Sequence, residues 1–151
     1  MALFAMGDTH LSLGTDKPMD KFPGWENYVS RMEANWRKLV KPEDTVVIPG
    51  DISWAMSLEE ARADLGFIDS LPGKKIIGKG NHDYWWATMR KMNAFLEENR
   101  FDTISFLFNN AYEAENIAVC GTRGWFYDDK AENAEKVIAR EAGRLTASIE
   151  E

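Results

Sequence analysis

Short apolar runs that each end on glycine, aspartate or histidine constrain this chain more than any other feature. Residues 3–6, Leu-Phe-Ala-Met, run into Gly7-Asp8-Thr9-His10. Residues 46–48, Val-Val-Ile, run into Pro49-Gly50-Asp51. Lys75-Ile76-Ile77-Gly78 leads through Lys79 into Gly80-Asn81-His82-Asp83. Short apolar runs bounded by turn residues read as buried strands. Between them lie stretches of helical period. Residues 25–40 carry Trp25, Tyr28, Val29, Met32, Trp36, Leu39 and Val40 at that spacing, and Pro42 ends the pattern. Leu58, Ala61, Leu65 and Ile68 repeat it, opened by Ser57 three before Glu60 as a capping box and closed by Pro72-Gly73. Trp85, Met89, Met92 and Leu96 mark a third helix. Strands separated by helices pair in parallel through right-handed crossovers. The expected fold class is α/β, with a mostly parallel sheet flanked by helices.

The rest of the chain continues the alternation. Residues 11–24 read as a loop broken by Gly14, Pro18, Pro23 and Gly24. Residues 103–108 and 117–120 read as later strands. A last helix is expected from about residue 131 to the end, with Ala134, Val137, Ile138, Leu145 and Ile149 on one face. Glu132, Glu135, Lys136, Arg140, Glu141 and Arg144 then form its wet face. At 151 residues the chain is expected to be a single domain, 1–151.

Composition narrows the function. A net charge of −7 argues against broad nucleic-acid binding, which needs lysine and arginine along phosphates. The single cysteine, Cys120, cannot form an internal disulfide, so a reducing, cytoplasmic compartment is expected. Its apolar surroundings mark it as a buried thiol rather than a nucleophile. No apolar run approaches the ~20 residues of a membrane span. The N-terminal residues read as a strand, not a signal peptide.

In open α/β sheets, sites form beyond the carboxyl ends of the strands. Asp8 and His10 are two apart, and on an extended segment they face the same way. Asp51 and the amide of Asn81 can approach the same point, whereas His82 is expected to point elsewhere and act on substrate. Carboxylate, imidazole and amide together suit Mn, Fe or Zn. A shared carboxylate implies two divalent metal ions about 3.5–4 Å apart. Each piece has a plainer reading: Gly50-Asp51 as a turn, and Asp83 as the cap of a helix starting near Tyr84. Yet both histidines of the chain fall inside these segments. Trp54, Tyr84, Trp85, Trp86, Trp125, Phe126 and Tyr127 form either a substrate platform or ordinary packing. Packing is favoured for Trp85 and Met89, and Trp54 is the pocket candidate. Arg123 is read either as a clamp on a substrate phosphate or as a solvated loop arginine. Asp128-Asp129 reads as an exposed acidic loop.

Asp8-Thr9-His10, Gly50-Asp51 and Gly80-Asn81-His82-Asp83 resemble the first three signature blocks of the calcineurin-like metallophosphoesterase superfamily. The resemblance covers roughly the first 85 residues. Asp8-Thr9-His10-Leu11-Ser12 and Gly121-Thr122-Arg123-Gly124-Trp125 also resemble a bacterial branch of predicted phosphohydrolases. The resemblance implies that Asp8 and His10 bind a first ion, Asp51 bridges both, and Asn81 binds the second. His82 would stabilise the transition state or protonate the leaving oxygen, oriented by Asp83. The implied reaction is hydrolysis of phosphomonoesters or phosphodiesters by metal-bound hydroxide.

The family pattern continues with further histidines, and this chain has none after His82. The expectation is an N-terminal portion of a longer protein, an incomplete αββα sandwich. A weak second metal site and feeble turnover follow. So does repulsion between Asp8 and Asp51 that raises the proton affinity of one of them. An unfinished sheet invites self-association. The rival reading is a noncatalytic metal-binding or protein-interaction module on the same scaffold. A nucleic-acid exonuclease is disfavoured by the acidic balance.

Overall fold

Four of the apolar runs lie side by side in the computed structural model, which describes residues 1–123 and 134–151. β1 (Leu3–Ala5), β2 (Thr45–Ile48), β3 (Lys74–Ile77) and β4 (Ile104–Phe106) form one sheet in that order. Every neighbouring pair is parallel, with Phe4 opposite Val46, Val47 opposite Ile76 and Ile77 opposite Phe106. α1 (Tyr28–Leu39), α2 (Leu58–Ser70) and α3 (Met89–Asn99) make the crossovers. Trp36, Leu65, Ile68 and Met92 from these helices share one buried cluster with Val46, Ile48, Ile77 and Phe106 of the strands. Each such side chain contributes about 1.5–3 kcal/mol by leaving water. The expected α/β fold is borne out, and all three parallel pairings point the strand C-termini to one edge.

Local signals place the helix ends. The Ser57 hydroxyl accepts the Glu60 N–H at 3.3 Å, and the Glu60 carboxylate accepts the Met56 N–H at 2.8 Å. The capping box therefore closes one residue earlier than its usual form. α3 starts at Met89 under a Thr88 cap, not near Tyr84. Trp85 precedes it and is buried in the core.

A further strand escapes the sequence reading. β5 (Asn110–Ala114) pairs antiparallel with β6 (Ile117–Gly121) as a separate hairpin. Glu115 and Asn116 connect them, both with positive φ (53° and 59°). Two left-handed residues suit a tight hairpin connection that follows strand twist. No Asn-Gly or Asp-Gly dipeptide announces it.

α4 (Ala134–Glu150) corrects the expectation for the last helix. It buries Glu141 and Ser148 and exposes Ile138, Leu145 and Ile149. Ala134 and Val137 are half-buried and Glu135, Lys136 and Arg140 exposed, as expected. The hairpin explains the burial of Glu141 and Ser148, because it offers polar groups to α4. Ser148 Oγ donates to Asn110 O at 2.6 Å and accepts the Gly121 N–H at 2.8 Å. Glu141 takes Arg144 Nη1 at 2.5 Å and lies 3.3 Å from the Thr122 hydroxyl. Expected residues 131–133 of this helix, Trp125, Phe126, Tyr127 and Asp128-Asp129 lie outside the described residues. Among the described residues, no helix is long and apolar enough to cross a membrane.

One buried cation gives a direct test of the sheet. Lys75 of β3 is fully buried, and its Nζ donates to Leu71 O at 2.6 Å and Asp69 O at 3.1 Å. Burial pushes its ammonium down to about 8, against the pull of Asp69. An unfolded lysine titrates near 10.4. Between these values the folded chain releases the proton first, so the unfolded chain binds more protons and stability rises with pH. The cost of the buried charge is fully present below pH 8. Wild type should therefore gain about 2 kcal/mol over Lys75→Met between pH 7.5 and 10. Urea midpoints at both pH values check this, and a flat difference would show that Lys75 is solvated.

Candidate metal centre

Beyond the sheet, the segments leaving β1 and β2 stay together. The Asp8 N–H donates to Gly50 O (3.2 Å), His10 N–H to Asp51 O (2.9 Å) and Leu11 N–H to Ile52 O (2.8 Å). A parallel bridge joins Leu11 to Ser53. Asp8, His10 and Asp51 all adopt left-handed backbone, with φ of 57°, 42° and 53°. The extended geometry expected for Asp8 and His10 is therefore wrong, although their side chains do approach. Aspartate and histidine enter this region more readily than most residues. Three left-handed residues in one place single out a candidate functional site.

Glycines bring the third segment in. A Cβ on Gly80 would strike the Asp51 carboxylate and backbone N, and one on Gly50, at φ 151°, would strike the Gly80 backbone. Only glycine at both positions lets the loops after β2 and β3 meet backbone to backbone. Gly80→Ala should cost about 1–3 kcal/mol and displace the Asp51 carboxylate. Urea denaturation with a parallel Mn²⁺ titration reads both effects. Wild-type values would show that this approach is not required.

Asp83 ties the two loops. Its buried carboxylate accepts the N–H groups of Asp51, Ile52 and Gly80, each at 2.8 Å. It also accepts Trp85 Nε1 at 3.0 Å and Ser53 N–H at 3.4 Å. Burial pushes this carboxyl up, against the pull of those donors. Asp83 neither caps a helix nor touches the His82 ring in any of these bonds, correcting both expectations. Its oxygens face inward to backbone donors instead.

His10, Asp51 and His82 gather with one ligand atom each, all within 4.8 Å of one another. Asp51 Oδ2 lies 3.0 Å from His82 Nδ1 and 3.9 Å from His10 Nε2. Asp51 Oδ1 accepts the His82 backbone N–H at 2.9 Å. This bond holds residue 82 over the carboxylate, so His82 joins the cluster rather than pointing away. Asp8 sits at the rim, its side chain 73% exposed, with Oδ1 3.7 Å from His10 Nε2. Asn81 is exposed, its amide 3.1 Å from His82 Nδ1. Burial alone would push the Asp51 carboxyl up, but hydrogen bonds from His82 and the charges of both histidines hold it below its usual range. The expected repulsion between Asp8 and Asp51 does not govern this group.

These residues fit a divalent cation. His10 turns its Nε2 toward both carboxylates, 3.9 Å from Asp51 Oδ2 and 3.7 Å from Asp8 Oδ1. A carboxylate with two imidazoles is a donor set for Mn, Fe or Zn.

The surroundings include residues that the sequence reading passed over. The Tyr28 hydroxyl donates to His10 O at 2.8 Å, and is pushed up to about 12 by burial, then by the charges of Asp64 and Asp20. Buried Asp64 accepts the Leu13 N–H at 2.7 Å and the Ser53 hydroxyl. Burial pushes the Asp64 carboxyl up against those bonds. A carboxylate on the apolar stripe of α2, between Ala61 and Leu65, was the available signal. Lys79 lies within reach of the Arg123 charge, which adds to burial in lowering its ammonium. Arg123 thus stands near the loop of Gly80 and Asp83. Trp85 is core, as expected, whereas Tyr84 is exposed with its ring 6.3 Å from His82.

Fold and site together define an α/β protein with a candidate divalent-metal centre at its strand ends. The chain belongs to the calcineurin-like phosphoesterase family, whose model matches residues 1–139. A solved protein of unknown function from Aquifex aeolicus is similar at 24% identity and TM-score 0.52, over 94% of this chain and 71% of that one. That likeness shows the fold. The phosphopantetheinyl hydrolase of Mycobacterium tuberculosis is more distant, at 15% identity and TM-score 0.44, over 94% of this chain and 50% of that one. No curated protein matches the chain.

Proposed function

We propose that this chain hydrolyses phosphomonoesters or phosphodiesters with divalent ions held by Asp8, His10, Asp51 and Asn81. The convergence of His10, Asp51 and His82 within 4.8 Å at the strand ends carries this reading. When bound, the ions would supply Lewis acidity and lower the pKa of water. Asp51 is central among the chain's own groups, since its carboxylate faces both imidazoles. His82 is placed to hold a proton for the leaving oxygen. Asp83 keeps the Asp51 and Gly80 backbones in position. Arg123 is a candidate contact for a substrate phosphate.

The ion at Asp8, His10 and Asp51 should bind first. The one at Asp51 and Asn81 should bind weakly, because the chain offers no third imidazole. Slow turnover is expected, and a noncatalytic metal-binding module on this scaffold is the second reading. The lone cysteine favours a cytoplasmic setting. Mn²⁺-dependent hydrolysis of p-nitrophenyl phosphate or bis-p-nitrophenyl phosphate tests the proposal. Turnover that vanishes in Asp51→Asn supports the hydrolase. Mn²⁺ binding with no turnover at all on either ester supports the module.

A further inference from the structure

Trp54 stands three residues beyond Asp51, and its N–H donates to Leu11 O at 2.9 Å. This places the indole beside the segment that carries His10. The His10 ring stacks on it with centroids 4.9 Å apart and planes at 19°. The His82 ring lies 4.9 Å from the same indole, tilted by 55°. One indole therefore touches both histidines, which arrive from different strand ends. The imidazoles themselves meet edge to face at 5.7 Å.

A metal-binding histidine is usually held by a hydrogen bond from its second ring nitrogen. His10 has no such bond, for its Nδ1 is buried without a partner among the described residues. Its backbone is fixed through its N–H on Asp51 O and its carbonyl on the Tyr28 hydroxyl. Among the described residues, ring contacts fix its plane, with Nε2 facing the carboxylates of Asp8 and Asp51. Trp54 covers one face, and Trp25 approaches at 6.3 Å and 60°. The indole is itself anchored, with Nε1 donating to Met19 Sδ at 3.4 Å and Lys17 Nζ donating to the Trp54 carbonyl at 3.4 Å.

We propose that Trp54 is a positioning residue that fixes the His10 ring as a ligand of the cation and keeps the His82 ring beside it. It takes the part usually played by a hydrogen bond to the second ring nitrogen. This rests on the metal-centre reading above, and it gives the expected pocket residue Trp54 a second role. The contact needs a flat aromatic face, not bulk.

The test compares Trp54→Phe, which keeps a flat ring, with Trp54→Leu, which carries an aliphatic side chain only somewhat smaller than phenylalanine. Mn²⁺ affinity is read by calorimetry, and the metal-free His10 and His82 ring protons by NMR. Trp54→Phe should bind within about threefold of wild type, and Trp54→Leu about 10–100-fold more weakly. In metal-free Trp54→Leu, both histidine signals should move and broaden while the urea midpoint stays near that of Trp54→Phe. Any turnover should fall in kcat rather than rise in KM. Equal Mn²⁺ affinity of Trp54→Leu and wild type would overturn the inference and leave the metal centre standing. A wild type that binds no Mn²⁺ would instead remove the centre itself.

Discussion

Asp83→Ala is expected to cost about 4 kcal/mol or more and to abolish Mn²⁺ binding in the same step. The carboxylate is 1% exposed. It takes backbone N–H groups from the loops after β2 and β3, together with the Trp85 indole. Alanine would leave these donors buried without an acceptor, and each such loss costs about 1–3 kcal/mol. A domain of this kind holds only about 5–15 kcal/mol in total. The metal centre fails as a consequence, because Asp51 and Gly80 are fixed through the bonds that disappear. Asp83→Asn should be intermediate, since one oxygen still accepts while the amide NH₂ faces N–H donors. Urea denaturation of the metal-free protein, followed by Mn²⁺ titration, reads both quantities. If Asp83 merely oriented His82, activity would fall while stability held. Wild-type stability in Asp83→Ala would rule out the role as a hub.

Asp51→Asn should give the opposite split. Mn²⁺ affinity should drop by about 100-fold or more, because the charged oxygen shared by the His10 and His82 rings is lost. The metal-free fold should change by only about 1 kcal/mol. Asparagine tolerates the left-handed backbone of residue 51, and its oxygen can still accept the His82 N–H that Asp51 Oδ1 accepts at 2.9 Å. Phosphoester turnover should vanish along with the metal. Calorimetric titration against wild type and His10→Ala checks the ranking. Equal affinity in all three would leave no centre at these residues.

The sequence was informative wherever the cause was local. Alternating apolar runs and helical periods are properties of neighbouring residues. They located β1, β2, β3, α1 and α2 and hence the parallel sheet. Asp8, His10, Asp51, Asn81 and His82 were legible as a group because all follow strand-like runs. That is also why family membership could be anticipated. β5 was missed because its turn, Glu115-Asn116, lacks the usual dipeptide. α4 was misread in part: Ala134 and Val137 are half-buried and Glu135, Lys136 and Arg140 exposed as expected, but Glu141 and Ser148 dock in place of Ile138, Leu145 and Ile149. Periodicity does not show that the docking partner, the hairpin just before α4, presents polar groups.

What only the tertiary structure decided is how the ligand groups are held. Asp83 is bonded to residues some thirty positions away, at Asp51 and Ile52. His82 is drawn onto Asp51 across a similar gap, and the Trp54 ring is shared between His10 and His82. No local pattern encodes these contacts. They arise when parallel pairing sets three strand ends side by side, and two glycines then let the loops beyond them touch.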